Sequence, residues 1–303
     1  MLSSLGGAFA RRGVAPEAAA VRRPPSLVYR ISKNAGAMVG VALLGLVVIL
    51  AILAPFIMPY DPLYIDTTQK FLAPGAAHWF GTDELGRDVL SRVIDGTRIS
   101  FYVAFTVLVI SAGIGVALGA VSGYRGGLTD EVVMRVADIF FAFPSFLLAM
   151  AIVAALGPSI ENAIIAIGIS WWPRYARLLR GQILSVRNQA FVDAARTLGA
   201  TDWRILRQHI LPNCLAPLMV QLTMDAGTAI LTAASLSFIG LGAGPEVAEW
   251  GSMVARGREF IVSYWWVPTF PGLAISLTVA GYMFLGDGLR DLLDPQLRNR
   301  VSI

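Results

Sequence analysis

One carboxylate, that of Asp225, lies well inside an apolar stretch of the sequence, at about residues 215–242. A charge in such a stretch is costly, and it normally faces the interior of a helix bundle or a water-filled cavity. Two roles fit this position. Asp225 can line a translocation path and bind a cationic group of a solute, or it can pair with an arginine of a partner subunit. The sequence leaves both roles open.

Nucleotide and thiol chemistry find few candidates. The lysines are Lys33 and Lys70, and neither stands in the Gly-Lys-Ser/Thr setting of a phosphate-binding loop, so no nucleotide site is predicted on this chain. The single cysteine, Cys214, excludes an internal disulfide and a cysteine metal cluster.

Metal and protease chemistry are equally weak. By the topology predicted below, the two histidines, His78 and His209, fall on opposite sides of a membrane, and His78 is interpreted as an anchor at the membrane interface. The sequence Gly-Asp-Gly at 286–288 has the wrong order for an intramembrane aspartyl protease. We predict a non-enzyme with no catalytic residue, metal or cofactor of its own.

The elements that position these residues are predicted to be membrane helices. Hydrophobic residues make up 56% of the 303 residues and charged residues 15%, with a mean hydropathy of +0.65. A soluble domain carries roughly 25% charged residues. The sequence therefore predicts an all-α polytopic membrane protein. Six apolar runs are long enough to span a bilayer: 34–60, 99–124, 139–160, about 159–179, about 215–242 and 261–286.

Positive charges set the orientation. Most of the 24 Lys and Arg residues fall on the side of the two termini, which predicts that both termini and residues 174–213 are cytoplasmic. Residues 59–98 and 243–268 then face outward. The first apolar run is too long for a signal peptide, so we predict that it is retained. Residues 1–33, rich in Ala, Arg and Pro, are predicted to be mostly disordered.

A charged, helix-prone segment, residues 191–213, lies between two of these spans. Gly199 is suited to end one helix in the left-handed conformation, and Thr201 to cap a second. We expect Pro212 to end that second helix. Within it, the spacing of Trp203, Leu206 and Ile210 places these three residues on one face. The segment is therefore predicted to form two short helices at an angle. From spacing alone, it could also be an interfacial helix lying flat on the bilayer.

The order Asp193-Ala194-Ala195, three residues, Gly199, and then Leu211-Pro212 resembles the EAA loop of ABC-importer permeases. The sequence departs from that pattern at Asp193, where the family has Glu, and at His209, where it has Ile. Residues 78–100 (HWFGTDELGRDVLSRVIDGTRIS), 235–242 (SLSFIGLG) and 285–298 (LGDGLRDLLDPQLR) resemble the dipeptide, oligopeptide, glutathione and nickel branch. The chain is most similar to the second, C-type permease subunit of such importers.

The resemblance implies a type I ABC-importer permease fold in the inner, cytoplasmic membrane. It implies ATP-driven peptide import by alternating access, with nickel or glutathione as alternative cargoes. ATP and Mg²⁺ would be bound by two cytoplasmic ABC ATPase subunits or domains. The other implied partners are a second homologous permease, an extracytoplasmic substrate-binding protein and membrane lipid; no nucleic acid is expected. A proton-coupled secondary transporter is the competing class, but it needs ionisable residues in several spans and usually a repeat.

Carried onto this sequence, the resemblance implies that the segment docks on an ATPase. We expect Gly199 to form the elbow, Thr201 to cap the docked helix, Asp193 and Arg204 to act as polar anchors, and Trp203 to make an apolar contact. The full predicted coupling set is Asp193, Ala194, Ala195, Gly199, Ala200, Thr201, Asp202, Trp203, Arg204, Arg207, Leu211 and Pro212. Asp225 is the candidate for the translocation path, where it could meet a peptide's amino terminus.

The predicted layout has five parts. They are a tail at 1–34, a first membrane helix at 35–58, an external loop at 59–98, a transmembrane core at 99–288 that contains the coupling segment at 180–213, and a cytoplasmic end at 289–303. Within the external loop, Thr82 and Asp83 are expected to cap a short amphipathic helix at 84–95 that ends at Gly96. Glycines at 113, 115, 119 and 123 predict close helix packing in the second span.

Overall fold

The computed structural model describes residues 32 and 34–293, and every described element longer than a single bridge is helical. The predicted tail at 1–34 and most of the predicted end at 289–303 lie outside the described residues. The helices are α1 (Ala35–Ile57), α2 (Val89–Arg125), α3 (Gly127–Phe141), α4 (Ser145–Leu156), α5 (Ile160–Val186), α6 (Ala190–Thr197), α7 (Asp202–Ile205), α8 (Leu211–Phe238), α9 (Trp250–Gly257) and α10 (Trp266–Leu293).

Four of the described helices are long and apolar enough to cross a membrane: α1, α2, the continuous stretch from Asp202 to Phe238, and α10. A fifth is added if α3 and α4 count as one broken span. Helix α5 has 27 residues, but its C-terminal half carries Arg174, Arg177 and Arg180, which lower its hydropathy. The described chain is thus an all-α membrane protein with four to five candidate spans.

The first span is as the sequence predicts. The side chain of Asn34 caps α1 by accepting a hydrogen bond from the backbone N–H of Ala37. Helix α1 packs against α10, where Gly40 lies against the backbone of Gly281 and Leu285. A methyl group on Gly40 would fall 2.5 Å from the backbone nitrogen of Leu285, so the close approach of the two helices requires a glycine here.

The predicted short helix at 84–95 is wrong. The carboxylate of Asp83 accepts from the backbone N–H groups of Leu85 and Arg87 and binds the Arg87 guanidinium at 2.7 Å, which folds residues 83–87 into a tight turn. Helix α2 starts afterwards, capped by Asp88, and continues through Gly96 to Arg125. The predicted boundary between 98 and 99 therefore cuts a continuous helix. Gly96 does not end this helix, because it provides space for the indole of Trp250.

The predicted third span at 139–160 is not one continuous helix. Helices α3 and α4 meet at an angle of 85°, across a break at residues 142–144. Pro144 explains the break, since proline disfavours a helical conformation of the residue before it and cannot donate a backbone hydrogen bond.

The packing predicted for the second-span glycines is confirmed for three of them. Added methyl groups at Gly115 and Gly119 would lie 2.5 Å from the carbonyl oxygens of Trp172 and Ala176 in α5, and Gly123 lies close to Arg180. Gly113, in contrast, faces open space. Small residues in α2 therefore let α5, the helix that leads into the charged segment, pack closely.

Candidate functional site

The charged segment folds as the predicted elbow between α6 and α7. Gly199 has φ +80°. Its backbone N–H donates to the carbonyl of Arg196 at 2.9 Å, and the N–H of Ala200 donates to the carbonyl of Ala195 at 3.1 Å. This pair of bonds is the Schellman arrangement, which satisfies the carbonyls at the end of a helix and needs a left-handed residue. The prediction for Gly199 is confirmed.

The start of α7 is also as predicted. The Thr201 hydroxyl accepts from the backbone N–H of Arg204 at 3.4 Å, and Asp202 occupies the first helical turn, where the helix dipole favours a carboxylate. The phenol of Tyr124, at the end of α2, donates to the Asp202 carboxylate at 2.6 Å. This bond ties the elbow to the span, and the sequence patterns gave no signal for it.

The prediction that Pro212 ends the second helix is wrong. Residues Leu206–Ile210 form a π-helical turn, and the N–H of Leu211 donates to the carbonyl of Leu206, five residues earlier. The wider turn accommodates the proline, whose ring would clash with the carbonyl four residues before it in a regular α-helix. The amide of Asn213 donates to the carbonyl of His209 at 2.6 Å. Helix α7 therefore continues through the π turn into α8 as one helical stretch from Asp202 to Phe238.

The elbow has a buried base and an exposed apolar tip. Its base is an apolar cluster with the C-terminal ends of α2 and α5. The cluster includes Val192, Ala195, Ile205, Leu206 and Ile210 of the segment, and the adjoining Cys214. At the tip, Leu198 is 87% exposed and Trp203 is 66% exposed. The predicted common face of Trp203, Leu206 and Ile210 is thus divided: two residues hold the elbow in place and one projects. Leu198 was missed, although an apolar residue directly before the left-handed glycine is a signal that could have found it.

The remaining predicted residues surround this tip. Asp193 is exposed and lies 3.4 Å from the guanidinium of Arg196. The Nε of Arg204 donates to the side-chain oxygen of Gln208 at 3.1 Å, and Arg207 is exposed. Ala194 is exposed, whereas Ala200 and Leu211 pack partly against the base. The structure therefore divides the predicted coupling set between an exposed tip and the buried base, where Ala195, Ala200 and Leu211 pack.

Asp225 is held by residues of its own chain. One carboxylate oxygen lies 2.7 Å from Nη1 of Arg174, and the other accepts from the hydroxyl of Tyr175 at 2.8 Å. Asp225 is 3% exposed. Pairing with a partner subunit's arginine was one of the two predicted roles and stays a prediction; the arginine seen next to Asp225 comes from α5 of the same chain. Arg174 was missed, since it was counted only as a cytoplasmic positive charge.

Arg174 belongs to a row of arginines spaced three residues apart along α5. Arg177 binds Asp138 of α3 at 2.6 Å, and Arg180 binds Asp130 of α3 through both carboxylate oxygens, at 2.5 and 2.6 Å. The guanidinium of Arg174 also lies over the ring of Trp171, with its carbon 5.0 Å from the ring centroid. The row joins α5 to α3 and α8 by charge-assisted hydrogen bonds, which are stronger than neutral ones.

The helices and the charged elbow define the class as a polytopic all-α membrane protein. The family comparison makes this specific. Residues 115–299 match the model described as "Binding-protein-dependent transport system inner membrane component", and residues 27–74 match the "N-terminal TM domain of oligopeptide transport permease C". The chain belongs to the family of binding-protein-dependent transport system inner membrane components.

Relatives agree over nearly the whole chain. A protein of Escherichia coli described as a probable D,D-dipeptide transport system permease protein is 47% identical, with 91% of this chain and 93% of the relative covered. A dipeptide transport system permease protein of Alkalihalophilus pseudofirmus is 44% identical, with 89% of each covered. A glutathione transport system permease protein of Pectobacterium atrosepticum is 44% identical, with 84% of this chain and 85% of the relative covered.

The fold is shared with a solved structure. A chain of the inward-facing MetNI methionine ABC transporter matches 68% of this chain and 96% of its own length, with a TM-score of 0.52 and 21% identity. The family membership establishes the chain as the non-catalytic, multi-pass inner-membrane permease of a binding-protein-dependent ABC transporter. Permeases of this family carry no cofactor, and ATP is bound by the ATPase subunits of the transporter.

Proposed function

We propose that this permease moves peptides of the di- and oligopeptide class across the cytoplasmic membrane by alternating access. The support is the name shared by its relatives, several of which are described as dipeptide or peptide permeases. Glutathione, the cargo named for another relative, is itself a small peptide-like molecule. Nickel import is the less favoured alternative, since no group of three or more His, Cys, Asp or Glu residues that could hold a metal ion occurs among the described residues.

The proposed architecture has six spans with both termini in the cytoplasm. It counts α3 and α4 as one broken span and α5 as another, in addition to the four helices that meet the apolar criterion. Support for α5 comes from its burial: Ala166, Ile167, Tyr175 and Ile183 are each 0% exposed. The arginine row that lowers its hydropathy is neutralised by Asp130, Asp138 and Asp225.

The proposed complex contains this permease, a second homologous permease, two ABC ATPase subunits or domains and an extracytoplasmic substrate-binding protein. This permease is also in contact with membrane lipid. In that complex the elbow is the surface that docks on an ATPase. The observation that carries this assignment is the pairing of a buried base with exposed Leu198 and Trp203. An exposed apolar tip rimmed by Asp193, Arg204 and Arg207 has the composition of an interface: an apolar centre with a polar rim.

The mechanical role follows from the geometry of the helices. Helix α7 continues through the π turn into α8, so a displacement of the docked tip passes directly into a helix that reaches Asp225 and beyond. The bond between Tyr124 and Asp202 couples the same tip to α2. ATP-driven closure of the ATPases would therefore bias a two-state bundle through rigid helices. A proton-coupled carrier is disfavoured, since both oxygens of Asp225 already have partners.

Replacing Trp203 by Ala tests the docking surface. If Trp203 is buried against an ATPase, its loss removes about 1.5–3 kcal/mol of apolar burial and weakens the association roughly tenfold or more. The matched control is Trp79→Ala, since Trp79 is 69% exposed and lies in the segment predicted to face outward. The measurement is the association of purified ATPase subunits with the tagged permease in detergent. This assay does not require the substrate-binding protein. Equal ATPase binding by both variants would show that Trp203 is not at the interface.

A further inference from the structure

The exposed charge of the Arg174–Asp225 pair is the cation and not the carboxylate. Asp225 has 4% of its side chain exposed, and each of its oxygens has a hydrogen-bond partner. The Arg174 side chain is 38% exposed. A solute passing this point would therefore meet a guanidinium. The guanidinium favours an anionic group of the solute, whereas Asp225 alone would favour a cationic group.

Arg174 has hydrogen-bonding capacity to spare. A guanidinium presents several N–H donors in a rigid fork that matches a carboxylate in two-point geometry. Asp225 occupies Nη1, and within residues 34–293 no other acceptor binds this guanidinium. The Trp171 ring beneath it and the Tyr175 hydroxyl that binds Asp225 fix its position. The remaining donors are thus oriented but unused.

Two further observations concern the surroundings of Arg174 on α5. The indole Nε1 of Trp171 is buried and has no acceptor among the described residues, which is rare for a buried donor. One turn along, Arg177 is half exposed and lies over the ring of Phe141 at 4.2 Å while binding Asp138. Two guanidinium groups, each held by a carboxylate and an aromatic ring, therefore follow one another along α5.

We propose that Arg174, positioned by Asp225 and Tyr175, binds the C-terminal carboxylate of the peptide during its passage through the permease. The inference rests on the proposed function and adds the group that is recognised. A partly exposed guanidinium within a membrane bundle faces water or an anionic partner and not lipid. A peptide carboxylate provides the planar, two-oxygen acceptor that Arg binds best. Arg177 is placed to take over the same carboxylate one turn further along.

A single Arg174→Gln substitution would leave Asp225 buried without a cation, which is destabilising in itself. The test therefore uses the double variant Arg174→Gln/Asp225→Asn, in which two amides can replace the ion pair. The single variant Asp225→Asn is compared with it, since this variant keeps the guanidinium but loses the carboxylate that positions it. Arg135→Gln, on an exposed arginine of α3, controls for the loss of a positive charge.

The assay is initial peptide uptake into proteoliposomes that contain the complete transporter, with the binding protein saturated by each peptide. A tripeptide with a free carboxylate is compared with its C-terminal amide and with its N-acetylated form. We expect wild type and Arg135→Gln to transport the free acid about tenfold faster than the amide, the size of one charge-assisted hydrogen bond. Asp225→Asn keeps the guanidinium but loses the carboxylate that positions it, so we expect it to keep a smaller preference for the acid. In the double variant we expect the two rates to become equal.

Three outcomes would overturn the proposal. The first is equal rates for acid and amide in the wild type, which leaves peptide transport intact but removes carboxylate recognition. The second is an unchanged preference in the double variant. The third is a change confined to the N-acetylated peptide in Asp225→Asn, which would restore Asp225 as an amine site. If the wild type takes up no peptide with ATP, the proposed function itself fails.

Discussion

Gly199 allows the coupling elbow to be tested through backbone conformation alone. No heavy atom lies within 4 Å of the place where a β-carbon would stand, so an alanine there meets no steric clash. The left-handed φ of +80° is the only obstacle. For an L-residue this conformation costs about 1–2 kcal/mol, while asparagine tolerates it better than alanine.

Proline at this position is a larger perturbation. Its φ is fixed at about −65°, far from the observed value, and it removes the N–H that donates to Arg196. The elbow then loses a hydrogen bond and its permitted geometry together, and we expect a local cost above about 3 kcal/mol. The spans should remain folded, because the elbow base is held by separate apolar contacts.

The expected order of peptide uptake is therefore glycine, then asparagine, then alanine, with proline lowest. A strain of about 1.4 kcal/mol corresponds to a tenfold change in the population of the competent elbow, so alanine should reduce uptake by several-fold and proline should abolish it. Peptide uptake per ATP hydrolysed, in proteoliposomes with the complete transporter, is the measurement. Expression and monodispersity of each variant report on folding.

Gly181→Ala is the matched control for this series. Gly181 lies in α5, also has no neighbour within 4 Å of an added β-carbon, and has no left-handed backbone. Alanine there should be neutral or stabilising by about 0.5–1 kcal/mol, since glycine is disfavoured inside a helix. The reasoning is refuted if Gly199→Pro transports normally, or if Gly181→Ala impairs uptake as much as Gly199→Ala.

Two further predictions concern stability. Gly119→Ala places a methyl group 2.5 Å from the carbonyl oxygen of Ala176, and this overpacking should lower the free energy of unfolding by about 1–3 kcal/mol. Gly113→Ala, in the same helix, meets no neighbour among the described residues and should be neutral. Equal melting temperatures for the two variants would contradict the packing of α2 on α5. Glu249 caps α9 by accepting from the N–H groups of Gly251 and Ser252, and burial raises the pKa of its carboxyl group. The contribution of Glu249 to stability is therefore present below the unfolded pKa of about 4.5 and is lost as pH rises through the higher folded pKa. Glu249→Gln should therefore flatten the dependence of thermal stability on pH above 4.5, and an unchanged pH profile would count against it.

The local features of the elbow could be predicted from the sequence because each depends on interactions within a few residues. A left-handed glycine, a threonine cap and a carboxylate in the first turn each depend on neighbouring backbone groups. The break before Pro144 is also local, but a long apolar run concealed it. The start of α2 was misplaced, because Asp83 and Asp88 are both good caps and only the contact with Arg87 decides between them.

Long-range pairings could not be predicted in the same way. Arg174 and Asp225 are 51 positions apart, and Tyr124 and Asp202 are 78 apart. Nothing in the spacing along one helix specifies which residue of another helix will face it. Counting Arg174, Arg177 and Arg180 as cytoplasmic charges gave a consistent topology, yet it concealed that all three are neutralised between helices. The number of positive charges on a segment indicates the side of the membrane, but it does not show which carboxylate each arginine binds.

The correction at Pro212 changes how force would travel through the permease. A helix that ended at this proline would leave α7 as a separate hinge-linked piece, and movement of the docked tip could be absorbed before it reached the membrane. The π turn instead keeps Asp202–Phe238 one continuous helical stretch, which begins at the Thr201 cap and carries Asp225. Displacement of the docked tip would therefore act on the same helix that holds Asp225. If the elbow docks as proposed, closure of the ATPases would move Asp225, and with it the guanidinium of Arg174.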